Sequence, residues 1–314
     1  MTVLLTGGTG FIGAYLIRHM VEDGYDPIVL DSAPNTKPIE DILDRVKIIR
    51  GDLTVPSEIY DAIKNKKVDE VFHMAALLST ACEQRPVLGF QVNVGGTINV
   101  LESCRILGVK KIVYPSSIVV YTPVKGFVKE ESEQQPQSVY GITKLFCELW
   151  NDYYRRRFNL DVRMVRFPSI IGPRRIDGGA SVYTSHMIEK TILGEPFEVP
   201  VTEDFRLGIL YVKDAVEALM RVWKAEEVKI RAYNIGEIYP TAGEIAEAVR
   251  KYVPGAEIFF KPDIETMKVL KNWAEMRMDY SRFKEDLGWD IQYPLEEMVK
   301  DYIRELKYMP RSAR

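Results

Sequence analysis

The chain has 314 residues, a formal net charge of −3 and 46% hydrophobic residues, enough for a proper core and for about two domains or one large α/β domain with a lobe attached. The charge leaves no basic footprint for nucleic acid, no stretch is long and apolar enough to span a bilayer, and the opening "MTVLL" lacks the basic flank of a secretion signal. Cys82, Cys104 and Cys147 lie far apart and His19, His73 and His186 are scattered, so the expectation is no metal, reduced thiols and a cytoplasmic protein.

In chain order, "VLLT" (3–6) predicts a short buried strand. "FIGAYLIRHMVEDG" follows, with a helical stripe of Phe11, Ile12, Tyr15, Leu16, Met20 and Val21 that stops at Gly24. "DPIVLD" (26–31), "VKIIRGD" (46–52), "EVFHMAA" (70–76), "KIVYPSS" (111–117) and "VRMVRF" (162–167) continue the strand series. Helical patterns lie between them, chiefly at 86–107 and 139–158. Near-continuously apolar strands alternating with helices predict an α/β, Rossmann-type doubly wound parallel sheet with helices on both faces. After Phe167 the texture changes. "PSIIGPRRIDGGAS" reads as a long functional loop, and a helix is expected near 181–193. "RLGILYVKDAVEALMRVW" runs from strand to helix, "AYNIG" (232–236) is a further strand, and 240–314 mixes short helices with "AEIFF". The terminal "YMPRSAR" reads as frayed.

The turn "TGGTGFIG" sits between the first strand and the first helix, the setting that a dinucleotide fingerprint requires. Of Gly7, Gly10 and Gly13, one permits the tight turn, one lets backbone approach a pyrophosphate, and one allows close helix–strand packing. Phe11 and Ile12 open the helix whose unpaired N–H groups face the anion. Asp31 ends the second strand about 20 residues on, where an acid binds a ribose 2′-hydroxyl and repels a 2′-phosphate. NAD is therefore expected over NADP. In "GDL", Asp52 and Leu53 are placed to meet the adenine, and Asp52 reads equally well as an aid to the next helix N-terminus. The expected division is an NAD-binding Rossmann domain of 1–167 plus about 206–239 and a smaller α/β substrate-binding lobe of about 168–205 plus 240–314.

"YGITK" puts Tyr140 and Lys144 four apart, on one helical face. A phenol is a poor base at neutral pH, and a neighbouring ammonium favours its ionised form. Ser117 ends a strand, where open α/β sheets present their ligand crevice. Its hydroxyl can hold a substrate alcohol or carbonyl, and of Ser116 and Ser117 it is the one chosen.

With these residues in place, the chain resembles the extended short-chain dehydrogenases/reductases, the NAD-dependent epimerase/dehydratase family. The matching stretches are "TGGTGFIG" (6–13), Asp31, "GDL" (51–53), "HMAA" (73–76), "VNVGGTINVLE" (92–102), "PSSIVVY" (115–121), "YGITK" (140–144), "RFPSIIGP" (166–173), "YVKDA" (211–215) and "LGW" (287–289), in family order. The resemblance implies that Tyr140 is the general acid/base, that Lys144 binds the nicotinamide ribose and lowers the tyrosine pKa, and that Ser117 orients the reacting oxygen. It places Ala75, Ala76 and Pro168 beside the cofactor. Asn93 is counted among the cofactor-binding residues, as support near the site, and reads about equally well as a satisfied buried amide; His73 reads as a satisfied strand histidine. It also implies a small-molecule substrate and a homodimer through the helices near 86–107 and 139–158, with neither nucleic acid nor membrane as partner.

Within that family the chain is most similar to the short-chain type L-threonine 3-dehydrogenase branch, in "AALLS" (75–79), "PSSIVVYTP" (115–123), "RFPSII" (166–171), "GGASVY" (178–183) and "NWAEMRMD" (272–279). This similarity makes Ser79, Ser117, Ser181 and Tyr183 substrate contacts and has Trp273 help to close the pocket; Tyr183 and Trp273 read equally well as ordinary lobe packing. Ala180, Ser181 and Val182 depart from the Thr, Thr and Asp of that branch. Nucleotide-sugar epimerases share the overall plan but carry Asn where this chain has Ser169. Arg174, Arg175, Arg206 and Arg277 are the cations available for a diphosphate or other anionic substrate. The expected activity is NAD-dependent oxidation of a secondary alcohol on a small polar substrate (L-threonine-like, hydroxy acid or sugar acid). The alternative is a nucleotide-sugar 4-epimerase of the UDP-glucose/UDP-galactose type.

Overall fold

The computed structural model describes residues 1–175 and 179–308. The expectations for 176–178, including Gly178 of the glycine-rich loop, and for the tail beyond Tyr308 lie outside the described residues.

Strands and helices alternate from the start: β1 (Val3–Thr6), α1 (Phe11–Glu22), β2 (Ile28–Asp31), β3 (Lys47–Arg50), α2 (Pro56–Lys66), β4 (Glu70–His73), α3 (Ser79–Gln84), α4 (Pro86–Phe90), α5 (Gly96–Leu107) and β5 (Lys111–Ser117). Next come β6 (Gly126–Val128), α6 (Val139–Phe158), β7 (Asp161–Phe167), β8 (Ser169–Ile171), α7 (Tyr183–Ile192), β9 (Phe197–Val199), β10 (Ile209–Tyr211), α8 (Val212–Lys224) and β11 (Ala232–Asn234). The chain ends with α9 (Ala242–Tyr252), β12 (Ile258–Phe260), α10 (Ile264–Ala274), β13 (Met276–Met278), α11 (Ser281–Leu287) and α12 (Leu295–Tyr308).

The chain divides into two compact units, one of Met1–Thr122, Glu133–Arg166 and Val216–Tyr233, the other of Pro123–Ser132, Phe167–Ala215 and the residues from Asn234 on. The first unit is built on a seven-stranded sheet of order β11-β7-β5-β4-β1-β2-β3. β1 runs parallel to both β2 and β4, β2 to β3, and β4 to β5. Its inner strands are buried on both faces, Leu4, Leu5, Val29, Phe72 and Val113 having no exposed surface, whereas the edge strand β3 is half-exposed. From β1 the chain proceeds to β2 on one side and returns to β4 on the other, so strand order reverses between β1 and β4. Open parallel sheets bind ligands at the carboxyl ends of strands at such a switch point.

Local signals set the helix ends. Ser138 accepts the Gly141 N–H to start α6, and Asn159 in the left-handed conformation ends it. α2 starts with Pro56. The helix expected across 86–107 is present but not α-helical throughout. After α4, residues Gln91–Gly95 form one π turn before α5 begins, and that turn carries Asn93. A buried ion pair crosses from α6 to β7. Arg166 donates from Nε and Nη2 to the two carboxylate oxygens of Glu148 at 2.8 and 2.6 Å, and from Nη1 to the Tyr121 hydroxyl.

The second unit holds short parallel pairs that the sequence pattern does not announce: β8 with β10, β9 with β12, and β6 with β13. Asn234, fully buried, donates from Nδ2 to the carbonyls of Val128 and Asp279 and so fastens the ends of β6 and β13. A Thr241–Glu244 capping box starts α9. Among the described residues no helix is long and apolar enough to cross a membrane, no group of His, Cys, Asp and Glu is arranged to hold a metal ion, and all three cysteines are buried and free.

Candidate cofactor and active site

The glycine turn is held by contacts that only glycine permits. Gly7 has φ +64°, and a Cβ there would lie 2.7 Å from Ala75 Cα. A Cβ at Gly13 would lie 2.7 Å from the carbonyl oxygens of Gly7 and Gly8. Gly10 is the N-cap of α1, with no side-chain cap and no acid in the first turn, so among the described residues no capping side chain competes for the first N–H groups of the helix. At the end of β2, half-buried Asp31 accepts from the Thr9 hydroxyl at 2.6 Å and from the Ala33 N–H at 3.1 Å. Asp52 is exposed and accepts from the Thr54 N–H and hydroxyl at 2.8 and 2.9 Å. It thus shapes the turn that leads to α2. Leu53 is buried, and its carbonyl accepts from Asn99 Nδ2 at 2.8 Å. A crowded, uncapped turn with an acid at the next strand end fits an adenine dinucleotide with a free 2′-hydroxyl.

Behind the turn runs a buried polar chain. His73 ends β4, with Nδ1 2.7 Å from Thr6 Oγ1 and Nε2 2.9 Å from Thr97 Oγ1. Thr97 gives its own proton to the Asn93 carbonyl at 2.5 Å, and Thr6 accepts from the Ala75 N–H. This pattern assigns the proton to Nε2. Burial, with the charge of Lys144 adding to it, pushes the imidazole down to about 3, so it stays neutral. The Asn93 side chain accepts from the Leu77 N–H at 2.7 Å and donates to the Leu77 carbonyl at 3.0 Å and to Thr143 Oγ1 at 3.1 Å. Thr143 in turn donates to the Tyr140 carbonyl at 2.8 Å. The Asn93 side chain is thus a satisfied buried amide that ties the half-buried 75–77 loop to the first turn of α6.

Tyr140 lies half-buried in that first turn. Lys144, 3% exposed, donates from Nζ to the Pro115 carbonyl at 2.8 Å and stands 5.7 Å from the Tyr140 ring centroid and 4.5 Å from that of Tyr114. Burial pulls its ammonium down to about 8, opposed by Cys147, Glu148 and Cys82. Ser117 is half-buried and accepts from the Val119 N–H at 3.5 Å, which leaves its O–H to donate; Ser116 is buried instead, its hydroxyl unpartnered. Ser79 is the first residue of α3, half-buried.

The remaining sequence-selected residues belong to the second unit. Pro168, buried, links β7 to β8. Ser181 sits in a short turn of 3-10 helix and accepts from Ser169 Oγ at 2.7 Å and from Arg175 Nη2 at 3.1 Å. Arg175, itself buried, also donates to the Ile170 carbonyl at 2.7 Å. Tyr183 is 3% exposed, and burial pushes its phenol well up. Trp273 is half-buried on α10, which packs against the 180–182 turn. Arg206 is exposed and occupied: it donates to the Tyr239 carbonyl at 2.9 Å and pairs with Glu244 at 3.3 Å. The guanidinium of Arg277 lies between the rings of Phe127 and Tyr239, 4.9 and 4.8 Å from their centroids. Sequence reasoning did not pick out Thr9, Thr97 or Thr143. Their signal was available, since each hydroxyl lies inside a quoted motif.

The model of the NAD dependent epimerase/dehydratase family matches residues 3–236. A mitochondrial L-threonine 3-dehydrogenase of Bos taurus is 30% identical over 303 residues, 95% of this chain and 80% of that protein. Among solved structures, the holo form of an L-threonine dehydrogenase from Cupriavidus necator superposes with a TM-score of 0.90 at 29% identity, covering 98% of this chain and 100% of that one. A UDP-glucose 4-epimerase from Thermotoga maritima, solved with UDP-glucose, gives 0.85 at 25% identity, covering 98% and 99%.

The state of Lys144 should be readable in stability. Its folded pKa of about 8 lies below the unfolded 10.5, so between these values the unfolded chain binds more protons and stability rises with pH. Burial of the ammonium thus costs about 3 kcal/mol below pH 8, a cost relieved by pH 10.5. In urea unfolding of the protein without cofactor, the stability of wild type relative to Lys144→Met should climb by about that amount across this window. A difference that stays flat contradicts the assignment.

Proposed function

The chain belongs to the NAD dependent epimerase/dehydratase family, the extended short-chain dehydrogenases/reductases, and on that premise we propose that it oxidises the secondary alcohol of a small polar substrate, L-threonine or a related hydroxy acid or sugar acid. Bound NAD supplies the hydride acceptor. The glycine turn and Asp31 hold its adenosine half, with Asp52, Leu53, Ala75, Ala76 and Pro168 as further contacts. Tyr140 takes the hydroxyl proton as the alcohol becomes a ketone. Lys144, fixed by the Pro115 carbonyl, keeps a positive charge beside that phenol and stabilises its ionised form. Ser117 donates its free O–H to the reacting oxygen.

The observation that favours a small substrate concerns Ser169. Nucleotide-sugar epimerases carry Asn at this position, whose amide donates to a diphosphate. Here the Ser169 proton goes to Ser181 instead. The Ser169–Ser181–Arg175 cluster is compact and polar, suited to a carboxylate or hydroxyl. Ser79 and Ser181 are assigned to the substrate's polar groups, and Tyr183 and Trp273 to its apolar boundary. Arg206 would have to leave Glu244 to contribute. The epimerase remains the second reading, on the likeness to a UDP-glucose 4-epimerase.

A homodimer belongs to the same reading. Val87 and Phe90 on α4 and Ile142, Leu149 and Tyr153 on α6 are exposed, and Phe90, Phe146 and Trp150 form a continuous run of ring contacts. An apolar face of this kind marks an interface. Leu149→Glu should therefore shift the mass measured by light scattering from dimer to monomer; a wild type that is monomeric at the outset contradicts the assignment.

The catalytic assignment predicts that purified protein with excess NAD forms NADH steadily from L-threonine or from one member of a panel of hydroxy acids and sugar acids. Tyr140→Phe should abolish that turnover while NAD binding persists. Retained turnover in Tyr140→Phe removes the tyrosine from the mechanism. A flat trace from protein that binds NAD but interconverts UDP-glucose and UDP-galactose would establish the epimerase instead.

A further inference from the structure

Asp31 is fixed from two sides before any ligand arrives. Thr9, 6% exposed, directs its hydroxyl proton at Asp31 Oδ2 over 2.6 Å and its N–H at the same oxygen over 3.3 Å. The Thr9 oxygen also accepts the Asn35 N–H at 3.2 Å. Asp31 Oδ1 accepts from Ala33 at 3.1 Å. One hydroxyl thus joins three segments: the glycine turn, the end of β2 and the loop beyond it. A carboxylate offers about four acceptor positions, so after these donors it retains capacity for a ribose hydroxyl.

We propose that Thr9 is the positioning residue that sets the NAD-over-NADP preference of this protein, by locking the Asp31 carboxylate in place. The lock acts in two ways. It removes the need to order the carboxylate when a ribose diol binds, which strengthens NAD binding. It also prevents the carboxylate from swinging away from a 2′-phosphate, so the like-charge repulsion against NADP is kept in full. The proposal rests on the cofactor reading and goes beyond it, because Thr9 itself need not touch the ligand.

The test is the dissociation constant for NAD and for NADP, measured by calorimetry on the purified protein without substrate. Variants are Thr9→Val, which keeps the shape and deletes the hydroxyl, Thr9→Ser, which restores it, Asp31→Ala, and the Thr9→Val/Asp31→Ala double variant. Thr9→Val should weaken NAD binding about tenfold, a loss of the size expected when a hydrogen bond to a charged group is removed, and should leave NADP binding unchanged or make it tighter. Thr9→Ser should stay close to wild type. In the Asp31→Ala background, Thr9→Val should change nothing further. An unchanged ratio of NAD to NADP affinity in Thr9→Val overturns the proposal. So does a loss of the same size with and without Asp31, because the hydroxyl would then act only on the turn. Should Thr9→Val fail to fold, Thr9→Ala carries the same comparison. A wild type that binds NADP as tightly as NAD overturns the preference itself, and a wild type that binds neither overturns the cofactor reading.

Discussion

The crowding of Gly7 against Ala75 is the constraint on which the site depends. β1 and β4 lie side by side, and the chain leaves their carboxyl ends in different directions. No side chain fits on Gly7, since even a Cβ would come within 2.7 Å of the Ala75 backbone. The turn after β1 therefore stays tight, α1 starts immediately behind it, and the first N–H groups of α1 face the switch point. A side chain at Gly7 would have to displace the backbone at Ala75, two residues beyond the end of β4.

The same two strands anchor a buried polar chain. Thr6 and His73, partners in the β1–β4 register, begin the buried chain that runs through Thr97 to the Asn93 carbonyl. From the Asn93 side chain it continues through Thr143 to the turn that holds Tyr140. A buried polar chain is tolerable only when each member is satisfied. The neutral imidazole meets that condition, with one nitrogen accepting and the other donating. The glycine turn and the first turn of α6 are thus tied to the same pair of strands through one buried polar chain.

Much of this was legible in the residues. The sheet could be read because parallel strands covered on both faces are short apolar runs, and "VLLT" and "IVLD" can scarcely be anything else. The glycine turn and the placement of Asp31 at the end of β2 could be read because backbone geometry sets that spacing, and the four-residue interval of Tyr140 and Lys144 because it is one turn of α6. The π turn at Gln91–Gly95 could not, since hydrophobic period does not distinguish it from the α-helix around it. The pairing of β6 with β13 was hidden for a different reason: three-residue strands far apart in the chain leave no periodic signal. Arg206 shows a third limit. A sequence shows that a cation exists, but not that Glu244 and the Tyr239 carbonyl already occupy it.

What separates a dehydrogenase from an epimerase on this scaffold is the fate of the hydride, and that can be followed directly. L-Threonine deuterated at the carbinol carbon would be incubated with the purified protein and NAD, and the cofactor recovered and weighed by mass spectrometry. Net oxidation predicts NADH that carries the deuterium and accumulates with time. Recovery of unlabelled NAD, with all the deuterium still on threonine, from protein that binds NAD and turns over another substrate without net NADH, would contradict the dehydrogenase account.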